Sequence, residues 1–284
     1  EQYRSSPELA STLERARALA ERSGSPELVA MALLATAETR YASSEFGPAI
    51  ELFERAIPAL VETEQLLDAS VAAGFLGTAY GHVGEFEPAI EWTDRAYQLG
   101  VDSGDPNASL DADLARSIVE SIRGDTDAAI EYAGKAAEAA GRVDNKACAM
   151  VAHSVIGEQH LRTGDAAQAT IAFEASADLA AFCQFMPVKV EQTELLLQTA
   201  RAGAGTGQLD LRRYDKALEL ARQFGDRLAE AQLYEQRARD RSSTGQSEAA
   251  AADLERAAEL YGSLDAAAHL QRIENLKGAS AGPG

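Results

Sequence analysis

Four histidines, His82, His153, His160 and His269, are the side chains best suited to ligate a metal or move a proton near neutral pH. His153 and His160 are seven residues apart, which places them on roughly one face of a helix, with Glu158 on the same segment. No further ligand stands at a clear spacing. These histidines therefore read as packed or solvated, and no metal or cofactor is expected. Cys148 and Cys183 fall at the same end of one helix pair and read as a reduced, packed pair rather than a bridge. The run Gly203-Ala204-Gly205-Thr206-Gly207 lacks the lysine and the preceding strand of a phosphate-binding loop. No Ser, Cys and His arrangement offers a nucleophile with its base, and no cluster of titratable groups has acid–base spacing. The expectation is a protein without a catalytic residue, not an enzyme.

If chemistry does not organise the chain, packing must. The 284 residues are 46% hydrophobic, too apolar for a disordered polymer, and no uninterrupted apolar run is long enough to span a membrane. No basic-then-apolar leader opens the sequence, and with two cysteines a reducing, cytoplasmic setting is the expectation. Alanine occurs 58 times against 6% aromatics, a composition suited to closely packed helices. The formal charge of −19 excludes nucleic acid and anionic membranes as partners. That charge is uneven. Residues 44–131 carry 18 acidic and 4 basic side chains, whereas 201–241 carry 7 acidic and 9 basic. Solvated helix faces account for most of this, and a dipole that orients a partner is the sharper reading.

Self-similarity is the strongest signal. Gly84-Glu85-Phe86-Glu87-Pro88-Ala89-Ile90-Glu91 matches Gly124-Asp125-Thr126-Asp127-Ala128-Ala129-Ile130-Glu131 and Gly164-Asp165-Ala166-Ala167-Gln168-Ala169, with the glycines 40 residues apart. Ser44 holds the glycine slot one period earlier, and Gly245 lies 81 residues after Gly164. Gly207 marks the intermediate copy, with Gly203 and Gly205 as alternative placements. Ala49, Ala89, Ala129 and Ala169 are each followed seven residues later by Ala56, Ala96, Ala136 and Ser176, a small-residue face for a neighbouring helix. A second class of connector, at Gly24, Gly104, Asp144 and Gly225, alternates with the first. Two alternating short turns mean stacked antiparallel helix pairs. The pattern predicts a helix at 6–23, then pairs at 26–42/46–64, 67–82/86–100, 107–123/126–141, 146–163/166–182, 188–203/208–224 and 227–244/247–261. A last helix is predicted at 263–277, with 278–284 a disordered tail, so 1–277 would be one solenoid domain.

Leu76-Gly77-Thr78-Ala79-Tyr80, followed by Gly84, Phe86, Ala89 and Ala96, resembles the tetratricopeptide repeat signature. Thr93 departs from it where the family prefers an aromatic, which Phe53 and Phe173 supply in other copies; Arg116, Ser117 and Glu120 depart further. The resemblance implies an all-α solenoid, a right-handed superhelix of about six helix pairs plus a terminal helix at each end. The long period with Gly-Asp connectors is similar to the C-terminal arrays of large bacterial signalling ATPases, LuxR- or MalT-type regulators, and nucleotide cyclases. The opening helix resembles the second half of a repeat, which suggests a segment of a longer protein.

In repeats of this kind the first helix of each pair lines a concave groove. The resemblance places there Met31, Leu34, Glu38 and Tyr41; Val71, Gly74, Thr78 and His82; Asp111, Leu114, Ile118 and Ile122; and Val151, Ser154, Glu158 and Arg162. The lysine–asparagine carboxylate clamp of chaperone-binding relatives is absent. An apolar middle with a few polar groups suits an amphipathic helix or a small amphiphile; tight curvature closing these residues into a core is the competing expectation. The leading reading is a non-enzymatic interaction scaffold of a bacterial signalling protein, docking a protein or peptide of basic or amphipathic character. An effector-sensing module and a homo-oligomerisation domain are the alternatives.

Overall fold

The computed structural model describes residues 7–105 and 108–280, and within them every regular element is helical. Helix α1 (Pro7–Ser23) is followed by the pairs α2 (Pro26–Ala42)/α3 (Phe46–Glu62), α4 (Leu66–Val83)/α5 (Phe86–Ser103) and α6 (Ala108–Arg123)/α7 (Thr126–Arg142). The pairs α8 (Lys146–Thr163)/α9 (Ala166–Leu179), α10 (Pro187–Gly203)/α11 (Arg213–Gln223) and α12 (Arg227–Ser243)/α13 (Ser247–Ser263) come next, and α14 (Ala267–Ser280) closes the order. No helix among the described residues is long and apolar enough to cross a membrane.

Local chemistry sets these boundaries. The side chains of Ser25, Asp125, Asn145, Asp165 and Asp226 each accept the backbone N–H three residues on, satisfying a donor that the first turn leaves orphaned. At the other end the repeat glycines adopt left-handed backbone, with φ 90° at Gly84, 92° at Gly124 and 83° at Gly164. Ser44, in the glycine slot of the first copy, is held at φ 60°. The small residues recurring at seven-residue spacing are all fully buried.

Pairs interlock through a second spacing. A Cβ added to Gly77 would lie 2.7 Å from Thr93 Cγ2, and one added to Gly157 would lie 2.7–2.8 Å from three ring atoms of Phe173. Helices α4 and α8 thus each offer a hollow sixteen residues before the knob that fills it. Because Phe173 is fully enclosed, Gly157→Ala has nowhere to put its methyl group. Overpacking of this kind costs about 1–3 kcal/mol, offset by about 1 kcal/mol of helix propensity. The expected net result is a lower urea midpoint; a midpoint at or above that of the parent would refute the interlock.

Three boundaries differ from the sequence expectation. The chain from 204 to 212 is an irregular connection in which Gly205 takes φ 72°, so α11 starts at Arg213 rather than near 208. Helix α9 tightens into a 3-10 turn at Ala180–Phe182. Gly262 stays helical, the turn falls on Asp265 at φ 52°, and the last helix begins at Ala267 and runs through Gly278. Residues 281–284 of the expected tail lie outside the described residues.

Successive first helices touch one another (α2 with α4, α4 with α6, α6 with α8, α8 with α10, α10 with α12), while no comparable contact joins α3 to α5 or α5 to α7. The first helices therefore form the inner wall and the second helices splay outside. The winding brings the two ends together. Helix α14 reaches α4 and α6, and one apolar cluster unites Phe46 and Ala79 with Leu254, Tyr261, Leu264 and Ile273.

Candidate functional site: the inner wall and its closing latch

Curvature sorts the sixteen expected groove residues into buried, half-buried and exposed groups. Leu34, Thr78, His82 and Ser154 are buried. For two of them the neighbouring first helix is the cause, since Thr78 donates to the Tyr41 hydroxyl at 3.0 Å and Ser154 shares a 3.1 Å hydrogen bond with Thr193, while His82 is covered by His269 of α14 and Phe46 of α3. Glu38, Tyr41, Val71, Leu114, Ile118, Ile122, Val151 and Glu158 are half-buried, whereas Met31 and Arg162 are exposed. Gly74 is buried with Ala115 against it, and Asp111 is half-buried.

The wall has an electrical polarity. Burial pushes the carboxyls of Glu38 and Asp111 above their usual range, and Asp68 and Asp105 add to the push. Beyond them lie Glu158, paired with Lys189 at 3.3 Å, and Arg162. Arg162 donates to the carbonyl and the hydroxyl of Ser121 at 2.8 and 3.3 Å, reaching the open carbonyl end of α6. Desolvation, with Arg272 and Arg239 nearby, lowers its guanidinium from the ordinary value.

At the seam the ends are latched by a hydrogen-bonded chain. Buried Glu235 on α12 accepts two bonds from Arg272 (2.8 and 2.7 Å), one from Arg239 (2.9 Å) and one from the Tyr261 hydroxyl (2.9 Å). Although burial alone would raise it, these partners hold the Glu235 carboxyl down at about 2. Arg272 also donates to His269 Nδ1 at 2.8 Å, and His269 Nε2 lies 2.9 Å from His82 Nδ1. A guanidinium can only donate, so His269 Nδ1 must accept, its proton sits on Nε2, and His82 Nδ1 accepts in turn. The rings stack in series, Phe46 on His82 at 4.4 Å, His82 on His269 at 5.1 Å, and His269 on Tyr261 at 4.8 Å. Burial first, then the Arg272 charge, drops His82 to about 3, and burial drives His269 far below its normal range. Both imidazoles are neutral.

The other candidate ligands stay apart. His153 and His160 are half-buried on α8, and among the described residues no three His, Cys, Asp or Glu converge on a metal position. Cys148 and Cys183 are free and buried, and burial raises the Cys148 thiol to about 12, far from thiolate reactivity. A separate cleft of about 640 Å³ opens where Arg17, Arg40 and Phe46 face Gly225, Arg227 and Asp265 across the seam. Sequence reasoning named His269 only as one of four histidines, without placing it beside His82, and did not single out Lys189, Glu235, Arg239 or Arg272 as site residues. The basic excess of 201–241 was a trace of Arg239 alone among the cations.

No protein-family model matches the sequence, and no curated protein matches it. Solved structures do. A Rap protein complexed with competence and sporulation factor superposes with TM-score 0.62 at 14% identity, over 90% of this chain and 77% of that one. The apo quorum sensor NprR from B. thuringiensis gives 0.59 at 13%, over 96% and 82%. A signal transduction ATPase with a tetratricopeptide repeat sensor, from Pyrococcus horikoshii, gives 0.57 at 15%, over 89% of this chain and 40% of that one. The chain has the tetratricopeptide-type α-solenoid fold. That solenoid differs from an open array in one respect: its last helix locks onto its second pair.

Proposed function

We propose that this solenoid is a non-enzymatic receptor module of a bacterial signalling protein that binds a peptide, or a peptide-like segment of a partner, along its inner wall. The observation that carries the reading is the half-buried apolar set of Val71 on α4, Leu114, Ile118 and Ile122 on α6 and Val151 on α8, with half-buried Glu38 and Asp111 and exposed Arg162 on the same inner-wall helices. An apolar floor supplies affinity, and a few polar groups at its edges supply orientation. Similarity in fold to a Rap conjugation gene regulator solved with the Phr* peptide adds support (TM-score 0.61, 16% identity). The acidic first half favours a partner with basic character, so association slows as salt is added. Buried, unreactive thiols suit a reducing cytoplasm.

The test is selection of random octapeptides on immobilised protein, followed by titration of the retained sequences. Replacing Ile118 and Ile122 with aspartate is expected to weaken a retained peptide at least about tenfold, the loss typical of a central apolar contact. Retention unchanged in the double variant would refute the inner wall as the site. A small effector is the second reading, favoured by the cleft of about 640 Å³ at the seam. It predicts thermal stabilisation by metabolites and none by peptides.

A further inference from the structure

We propose that Arg162 is a carboxylate-binding subsite on the inner wall, seating one acidic group of the bound peptide; this rests on the peptide reading above. Arg162 is exposed, and it donates to the neutral carbonyl and hydroxyl of Ser121. Those two bonds use two of the five guanidinium donors. Glu158, one turn earlier on α8, is engaged by Lys189, and among the described residues no carboxylate pairs with Arg162. The surroundings are cationic in an acidic protein. Arg162, Lys189, Arg239 and Arg272 stand against Glu158 and Glu235, which leaves two positive charges uncompensated.

The anchoring of Arg162 makes it a receptor group rather than a loose surface charge. Its bonds to Ser121 fix the guanidinium over the end of α6, and Gln159 Nε2 bonds the same hydroxyl at 2.8 Å, fixing Ser121 in turn. A pre-set guanidinium loses little freedom when it takes an anion, and a partly desolvated one binds it more strongly than in water. Ile118 and Ile122 on α6 and Val151 earlier on α8 supply apolar surface in the same two helices. A carboxylate on Arg162 would therefore bring the apolar side chain beside it onto that floor. The acidic groups Glu38 and Asp111 lie nearer the start of the wall, so a peptide carrying a cation ahead of its carboxylate matches both ends.

Two sources of the carboxylate are separable. Three synthetic octapeptide pools are selected on the full chain: free C-terminus without Asp or Glu, amidated with Asp and Glu, and amidated without either. The expected result is enrichment of one of the first two pools over the third by at least about tenfold, the scale of a charge-assisted hydrogen bond. Enrichment of the first pool assigns a terminal carboxylate, and of the second an acidic side chain. Arg162→Gln is expected to abolish the difference and Arg162→Lys to keep part of it, with unchanged melting of the lysine variant showing that the wall is intact. Equal retention of the third pool, or an undiminished preference in Arg162→Gln, overturns the subsite while leaving the peptide reading standing. Failure of every pool to bind overturns that reading and the subsite with it.

Discussion

Lowering the pH from 7 to 5 is expected to loosen the latch between α14 and α4 by nearly three orders of magnitude. His82, at about 3, and His269, pushed well below its ordinary value by burial, are neutral in the closed solenoid, whereas both return to about 6.5 when α14 lifts away. A group with a depressed folded value stabilises the closed state above its open-state value and loses that stabilisation as the pH falls. The window therefore opens at about 6.5 and extends down towards about 3 for His82. At pH 5 each exposed imidazole favours the open form by about 30-fold, and the two multiply to about 10³. The groups that face the pair work with this sense or do not titrate in the window. Tyr41 on α2 and Tyr261 on α13 are held above their usual values, and Arg162 and Arg272 remain cations. Glu235, at about 2, remains an anion.

Hydrogen exchange of the α14 amides, corrected for the intrinsic pH dependence of exchange, reads this directly. Protection of α14 is expected to fall between pH 6.5 and 5 while α8 and α9 keep theirs. His269→Gln can still accept from Arg272 and donate to His82, and it removes one of the two titrations. Its pH effect is expected to shrink to about 30-fold. Protection of α14 that ignores pH in the parent protein would remove the histidines from any part in the closure.

The repeat was legible because its punctuation is local chemistry. A left-handed turn at Gly84, Gly124 and Gly164 and an oxygen cap at Asp125 or Asp165 each depend on residues a few positions apart. Where the turn falls on a residue without a glycine signature, as at Asp265, the helix start was misplaced to 263, and Gly262 supplied a false signal inside α13. The fifth pair was ambiguous for the converse reason: Gly203, Gly205 and Gly207 all fit the spacing, and only Gly205 takes positive φ. The inner wall was legible as a set of helices but not residue by residue. Thr78 and Ser154 occupy wall positions yet bond sideways to Tyr41 and Thr193, because first helices pack closely enough to bury them. The latch was not legible at all. His82 and His269 are 187 positions apart, and their meeting depends on small rotations summed over five pairs, which no spacing rule carries.

Removing Arg272 is expected to be the most destabilising single change in the second half of the chain. Glu235 has 7% of its side chain exposed, and Arg272 covers it with two charge-assisted bonds. In Arg272→Met the carboxylate keeps Arg239 and Tyr261 but loses its bidentate partner, and His269 loses the donor that sets its tautomer. Breaking one side of a buried pair costs about 3–5 kcal/mol, because the remaining charge stays desolvated. The pH sense follows from the depressed Glu235 value. The pair stabilises fully above about 4.5, the ordinary glutamate value, and that contribution disappears as pH falls through about 2. Urea denaturation at pH 7 checks the size of the effect, and the double variant Glu235→Met with Arg272→Met checks its cause. If the loss in Arg272→Met comes from an uncompensated charge, removing that charge as well should recover most of it, leaving the double variant more stable than the single one. A double variant as unstable as the sum of both singles would mean that packing around α14, and not the Glu235 charge, holds the ring closed; an Arg272→Met protein within about 0.5 kcal/mol of the parent would mean that the pair contributes nothing to it.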